Sequence, residues 1–221
     1  MKIRTGGIIW EISFPLAAVM TLVVLYDSSL SVTACFISVL IHEMGHILVM
    51  AVFGKKPERI KLTLFDFAIV SSSKGLLDLR REMAVILAGV CANFTAALFG
   101  WVICSYGVSE FAEKFMNTNL SLAFFNIMPI ESLDGGQAFT RLLCSRIRTE
   151  KAFLISDIVS VIFIVPLGTL GFIVLIRTGY NFSVLLTAVY LASLLIMKEP
   201  HKFGRLLRSG DKKQKENTNG I

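Results

Sequence analysis

Apolar residues gather into long, nearly uninterrupted runs: Ile8–Tyr26, Ser31–Phe53, Met83–Tyr106, Phe153–Ile176 and Asn181–Met197. Each approaches the roughly 20 helical residues that cross about 30 Å of hydrocarbon. A sixth run, from Asn117 to about Thr140, is broken by Pro129 and the pair Gly135-Gly136. The stretch Lys56–Leu79 is different: Ile60-Lys61-Leu62-Thr63-Leu64-Phe65 alternates in part, Phe67–Val70 is β-prone, and Ser71-Ser72-Ser73-Lys74-Gly75 makes a turn. That pattern predicts one or two short strands. The expected fold is an α-helical polytopic membrane protein with about six transmembrane helices, a short β-strand segment after helix 2 and a broken helix 4.

Composition agrees with the pattern. With 221 residues, 54% of them hydrophobic, and a mean hydropathy of +0.69, the chain is too apolar for a soluble domain and long enough for one membrane bundle. We expect one domain over residues 1–208 and a polar, disordered cytosolic tail over 209–221, with His201–Arg208 as a short helix on the membrane surface. The basic tip Met1-Lys2-Ile3-Arg4 resembles the start of a secretory signal, but Glu11 and Pro15 interrupt the following run, so a retained helix is expected. Cys35, Cys91, Cys104 and Cys144 have irregular spacing in or beside apolar runs and read as small buried hydrophobes.

The net charge of +6 could suggest nucleic acid, but its distribution argues otherwise. Lys and Arg fall in blocks of two at the N-terminal tip, seven in Gly54–Glu82, four in Arg141–Lys151 and seven after Met197, while the alternate connections hold only Lys114 and Arg177. Six spans with both termini cytosolic put 20 of 22 basic residues on the inner side, the positive-inside pattern of an integral, multi-pass protein. A bacterial cell membrane suits that reading, with attraction to anionic lipid as a secondary effect and no nucleic-acid partner.

Candidate chemistry lies in the second run. His42-Glu43-Met44-Gly45-His46 is an HExxH motif, and Glu43 is the only formally charged residue between Val32 and Phe53. Ionisable groups at membrane depth are costly and point to function. Residues four apart share a helix face, so His42 and His46 can present two imidazole nitrogens to one zinc ion, Zn2+, while Glu43 can take a proton from water beside it. Two of the three histidines in the chain fall in this motif.

A catalytic zinc usually has three protein ligands and an open position. The best third candidate is Asp134, where Pro129 and Gly135-Gly136 break the helix; such a break is tolerated at membrane depth where the backbone is buried in protein or lines a wet cavity. Depth agrees: His46 lies eight residues before Gly54 and Asp134 seven before Arg141, about 12 Å and about 10 Å at helical rise. Glu131 competes but lacks the adjoining glycine pair. Cys35, seven residues before His42, is about two turns away and too far to be a ligand. Asp157 and Arg177, near the ends of the run Phe153–Ile176, are assigned no catalytic role.

The HExxH helix, the segment Asn126-x-x-Pro129-x-x-x-Leu133-Asp134-Gly135-Gly136, and Leu87-Ala88-Gly89 followed by Asn93 together resemble the site-2 proteases, intramembrane zinc metalloproteases. Order and spacing are most similar to the branch that releases a sporulation sigma factor from its membrane-tethered precursor. The resemblance spans about residues 8–208. It implies His42, His46 and Asp134 as ligands of one zinc ion, Glu43 as catalytic base, and Asn126, Pro129 and Asn93 as residues of the substrate cleft. Three departures stand out. Val90 replaces the usual proline after Leu-Ala-Gly, Phe65-Asp66-Phe67 stands where a more glycine-rich strand is expected, and the chain ends at Ile221 without the nucleotide-sensing CBS domain, so control by ATP is not expected.

The implied partners are a membrane-tethered protein substrate, the lipid bilayer, and a membrane inhibitor or regulator. Asn126 can either hold an oxyanion or join helices. A transmembrane substrate must unwind, because its carbonyls are already hydrogen-bonded, and an edge strand within Ile60–Val70 could accept it by strand addition. An anti-sigma factor or a remnant signal peptide would suit the same chemistry. Two rival functions remain: a metal transporter, which would want polar residues strung across the bilayer, and an inactive scaffold, which would be expected to have lost Glu43 or a ligand.

Overall fold

The computed structural model describes residues 2–5, 8–12, 30–54, 57–62, 67–71, 78–107 and 110–197, the strands by their backbone alone. Two compact units emerge, one of residues 1–128 with 133–138 and one of residues 129–132 with 139–221.

In the first unit, β1 (Lys2–Thr5) pairs antiparallel with β2 (Ile8–Ile12), β2 pairs parallel with β3 (Pro57–Leu62), and β3 pairs antiparallel with β4 (Phe67–Ser71). The sheet order is β1-β2-β3-β4. This corrects the helix expected from Ile8. Ile8-Ile9-Trp10 is rich in β-branched and aromatic residues, and β3 supplies the pairing partner that a local hydropathy pattern does not reveal. The remainder of that expected helix, residues 13–26, lies outside the described residues, as do the expected tail at 209–221 and the surface helix at 201–208. Strand addition within Ile60–Val70 is also narrowed: among the described strands β3 is flanked on both sides, and β4 is the one there with an outer edge.

Helices α1 (Ser31–Val52), α2 (Leu79–Tyr106) and α3 (Glu110–Asn126) pack together through small residues. Ala34, Ala88, Ala97, Ala112 and Ala123 are buried, whereas Leu48, Leu98, Phe99 and Trp101 are exposed. This inside-out distribution suits a lipid-facing bundle, where close backbone approach takes the place of a hydrophobic driving force. Gly45 marks the closest approach: a β-carbon there would lie 2.7 Å from the Ala88 carbonyl oxygen and 2.8 Å from the Ala92 β-carbon. Helix α1 ends at Val52, and Gly54, just past the cap residue Phe53, has a φ of +71°, the left-handed geometry that follows a helix end.

Helix α3 stops at Asn126, and α4 (Asp134–Cys144) begins after a seven-residue turn, so the sixth apolar run is two helices. At Gly135 a β-carbon would collide with the Ile127 carbonyl oxygen and lie 2.8 Å from that of Met128. Only a glycine lets the start of α4 fold back on the end of α3.

The second unit contains α5 (Thr149–Thr178) and α6 (Ser183–Met197). Gly171 abuts the backbone of Leu185, and Ser160 Oγ accepts a hydrogen bond from the Glu131 backbone N–H at 2.9 Å. Ser156 and Thr140 hydroxyls lie 2.6 Å apart.

Among the described residues, three helices are long and apolar enough to cross a membrane, α1, α2 and α5; α6 is a shorter apolar helix. The expected count of about six is therefore not reached there. The run Asn117–Thr140 is divided by its turn, the run from Ile8 begins as a strand, and the run Asn181–Met197 yields a helix of 15 residues.

The Gly45 contact generates a stability prediction. Gly45→Leu should destabilise the α1–α2 packing by about 1–3 kcal/mol, as overpacking does. Thermal unfolding in detergent micelles should show a lower midpoint than for Leu48→Ala, which alters an exposed position.

Candidate metal centre

Helical spacing places both HExxH histidines on one face of α1, and α2 receives them. His42 Nδ1 lies 2.7 Å from Asn93 Oδ1, and His46 Nδ1 lies 2.8 Å from the Val85 carbonyl oxygen. A carbonyl carries no proton, so His46 must donate through Nδ1, and its Nε2 lone pair is left bare. His42 follows the same logic, because the Asn93 amide group donates elsewhere, to the Ser38 carbonyl oxygen at 3.1 Å. Both rings thus turn lone pairs toward the same point.

Asp134, the first residue of α4, brings a carboxylate to that point. Its Oδ2 lies 3.1 Å from His42 Nε2 and 3.3 Å from His46 Nε2, while the two Nε2 atoms are 3.2 Å apart. Asp134 Oδ2 is buried and has no hydrogen-bond partner among the described residues. Three electron-rich atoms in a nearly equilateral triangle repel one another unless positive charge sits among them. A single proton can bridge one edge of the triangle; a cation serves all three corners.

The dimensions suit zinc. Bonds of 2.0–2.1 Å in a tetrahedron separate ligand atoms by roughly 3.3–3.4 Å, close to the three separations here. His42, His46 and Asp134 are also the group of metal-ligating side chains whose donor atoms lie within 4.8 Å of one another among the described residues. Space for an ion is provided by Gly89 on α2. A β-carbon at that position would meet His46 Nε2 and lie 2.8 Å from His42 Nε2, so any side chain would occupy the ground in front of both nitrogens. Because a helical Cα–Cβ bond tilts toward the N-terminus, the bare Gly89 also leaves the Val85 carbonyl, one turn earlier, open to the His46 ring.

Glu43 is half-buried on α1 and lies within electrostatic reach of His42, His46 and Asp134. Asn126, at the end of α3, is half-buried and donates from Nδ2 to the Leu122 carbonyl oxygen at 3.0 Å. Pro129 is half-buried in the turn before α4. Asn93 requires a correction: expected in the substrate cleft, it is fully buried, and its side chain is engaged with His42, Ser38 and Asn119. It cannot touch a substrate. Asp134, and not Glu131, joins the histidines, while the Glu131 backbone is tied to Ser160.

Sequence reasoning missed Ser38, Asn119 and the roles of Val85 and Gly89. A signal existed for Ser38, which precedes His42 by one helical turn, and for Asn119, a polar residue facing an apolar bundle. The Gly89 contact generates a prediction of its own. Gly89→Ala should lose stoichiometric zinc, measured by elemental analysis of purified protein, although alanine in a helix interior ordinarily stabilises by about 0.5–1 kcal/mol relative to glycine.

Comparison with known proteins adds to this geometry. No family profile matches the chain. A stretch of 132 residues, 59% of the chain, is 31% identical to stage IV sporulation protein FB of Bacillus subtilis (strain 168). That stretch covers 46% of the relative, so the chain spans less than half the length of the curated protein it matches. In fold, the chain is similar to a site-2 protease from Methanocaldococcus jannaschii, with a TM-score of 0.60 over 89% of this chain and 94% of that one, at 19% identity. The resemblance carried by these segments is therefore met on both counts: the chain is similar in sequence to stage IV sporulation protein FB and shares the fold of a site-2 protease.

Proposed function

We propose that this chain is an intramembrane zinc endopeptidase. The observation that carries the reading is the triangle of His42 Nε2, His46 Nε2 and Asp134 Oδ2, three metal-ligating atoms converging beside apolar helices. His42, His46 and Asp134 would hold the ion. Zinc bound there supplies a Lewis acid that polarises a scissile carbonyl and lowers the pKa of water.

Glu43 takes a proton from the attacking water and returns it to the amine nitrogen as the peptide C–N bond breaks. Asn126 keeps one amide hydrogen on Leu122 and has a second to offer the carbonyl oxygen of the substrate. Pro129, which cannot continue a helix, holds the turn beside the cleft open. Substrate reaches the site in extended form, with the outer edge of β4 replacing helical hydrogen bonds by strand bonds.

The finer reading is a membrane-tethered precursor of a sporulation sigma factor as substrate, supported by the similarity to a sporulation protein. The distribution of basic residues supports cytosolic termini and a bacterial cell membrane, with substrate and regulators in the same bilayer.

Co-expression with a panel of membrane-tethered sigma-factor precursors, anti-sigma factors and remnant signal peptides tests the proposal. Wild type should yield a shortened product from at least one. Glu43→Gln should keep zinc and slow cleavage by about 100-fold or more, whereas Asp134→Ala should lose both. Zinc-loaded wild type without any product, or equal cleavage by Glu43→Gln, would favour a transporter or a scaffold. A cysteine crosslinking scan of 67–71 should capture the cleaved substrate; captures confined to other segments would remove β4 from the pathway.

A further inference from the structure

The two histidines are held differently, and the difference needs explaining. His46 leans on a backbone carbonyl, whose direction is fixed by the helix that contains it. His42 leans on a side-chain amide, which offers an oxygen or an NH2 group according to which way it is turned. If the Asn93 amide were reversed, its NH2 would face His42 Nδ1, the ring proton would move to Nε2, and that nitrogen could no longer bind a metal.

Behind Asn93 lies a chain of hydrogen bonds with only one consistent direction. The Asn119 NH2 group donates to the Phe115 carbonyl oxygen at 2.8 Å, which fixes that amide. Its second hydrogen goes to Ser38 Oγ at 2.8 Å, and Ser38 in turn donates to the Ala34 carbonyl oxygen at 2.8 Å. Asn119 Oδ1 is therefore the acceptor for the Asn93 NH2 group at 2.9 Å, and the Ser38 carbonyl oxygen accepts its other hydrogen at 3.1 Å. Asn93 Oδ1 can then face only His42. Every terminus of the chain other than His42 is a backbone carbonyl, so neither amide can be reversed without leaving two acceptors in contact.

Ser38, Asn93 and Asn119 come from α1, α2 and α3, and all three are fully buried. Three polar side chains at the centre of a small-residue bundle are a costly arrangement unless satisfied, and here they are satisfied only in the sense that presents a lone pair from His42. We propose that Asn93 is a positioning residue that fixes the His42 ring tautomer, and that Asn119 and Ser38 orient Asn93. This rests on the zinc reading above for its purpose, but the tautomer itself requires no metal.

The test uses full-length protein in micelles. Zinc affinity is read by competition with a chelator, and the His42 tautomer by nitrogen NMR of metal-free, histidine-labelled protein, which has only three histidines. Wild type should show His42 protonated at Nδ1. Asn93→Ala should give mixed tautomers and weaken zinc binding about 10–100-fold, as loss of outer partners of ligating histidines does. Asn93→Asp presents an acceptor to His42 whichever way it turns, although its second oxygen meets the acceptors of Asn119 and Ser38, and it should keep His42 protonated at Nδ1 and bind zinc more tightly than Asn93→Ala. Asn119→Ala should weaken binding less than Asn93→Ala.

Equal loss in Asn93→Asp and Asn93→Ala would make Asn93 simple packing glue and overturn the proposal. Unchanged tautomer and affinity in Asn93→Ala would do the same. Wild type that binds no zinc would overturn the proposed function instead, while the tautomer measurement would still read the chain of hydrogen bonds.

Discussion

Three polar atoms that face one another across about 3 Å, two imidazole nitrogens and a carboxylate oxygen, dominate this molecule. Oxygen and nitrogen lone pairs about 3 Å apart in a medium of low polarity repel strongly, and removing one partner from a buried charge costs several kcal/mol. Such an arrangement persists only where something positive completes it and the surrounding structure prevents escape. Here α1 contributes two corners by its own geometry, and the turn before α4 delivers the third.

Close packing and chemistry are served by the same small residues. Gly45 brings α1 against Ala88 and Ala92, and Gly89, on the next residue of that α2 surface, lies directly before the ring nitrogens. Were the helices a side chain farther apart, His46 could not reach the Val85 carbonyl and His42 could not reach Asn93. Gly135 performs the matching task at the other end of the site, where the start of α4 meets the Ile127 carbonyl. The bundle is thus shaped less by large apolar contacts, which face outward, than by the absence of side chains where backbones must meet.

The sheet contributes through its order. Because β2 pairs with β3, strands β1–β2 and β3–β4 join in a single sheet, and among the described strands β4 is left with an outer edge. An extended peptide needs such an edge, because a strand with neighbours on both sides has no free donors or acceptors to offer.

Much of the site was legible because its physics is local. Spacing by four puts His42 and His46 on one face, and Glu43 beside them, whatever the rest of the chain does. Asp134 was legible because Pro129 and the glycine pair announce a break. What the sequence determined was the long apolar helices and the residues of chemical character. Only the tertiary structure decided which partners hold the ring nitrogens, since Asn93, Asn119 and Ser38 are far apart in sequence and meet through packing. It also decided that Ile8–Ile12 is a strand, because β3, which pairs with it, lies more than forty residues away. Periodicity reports a residue's neighbours along one element; hydrogen-bond direction and strand pairing depend on groups that only folding brings within reach.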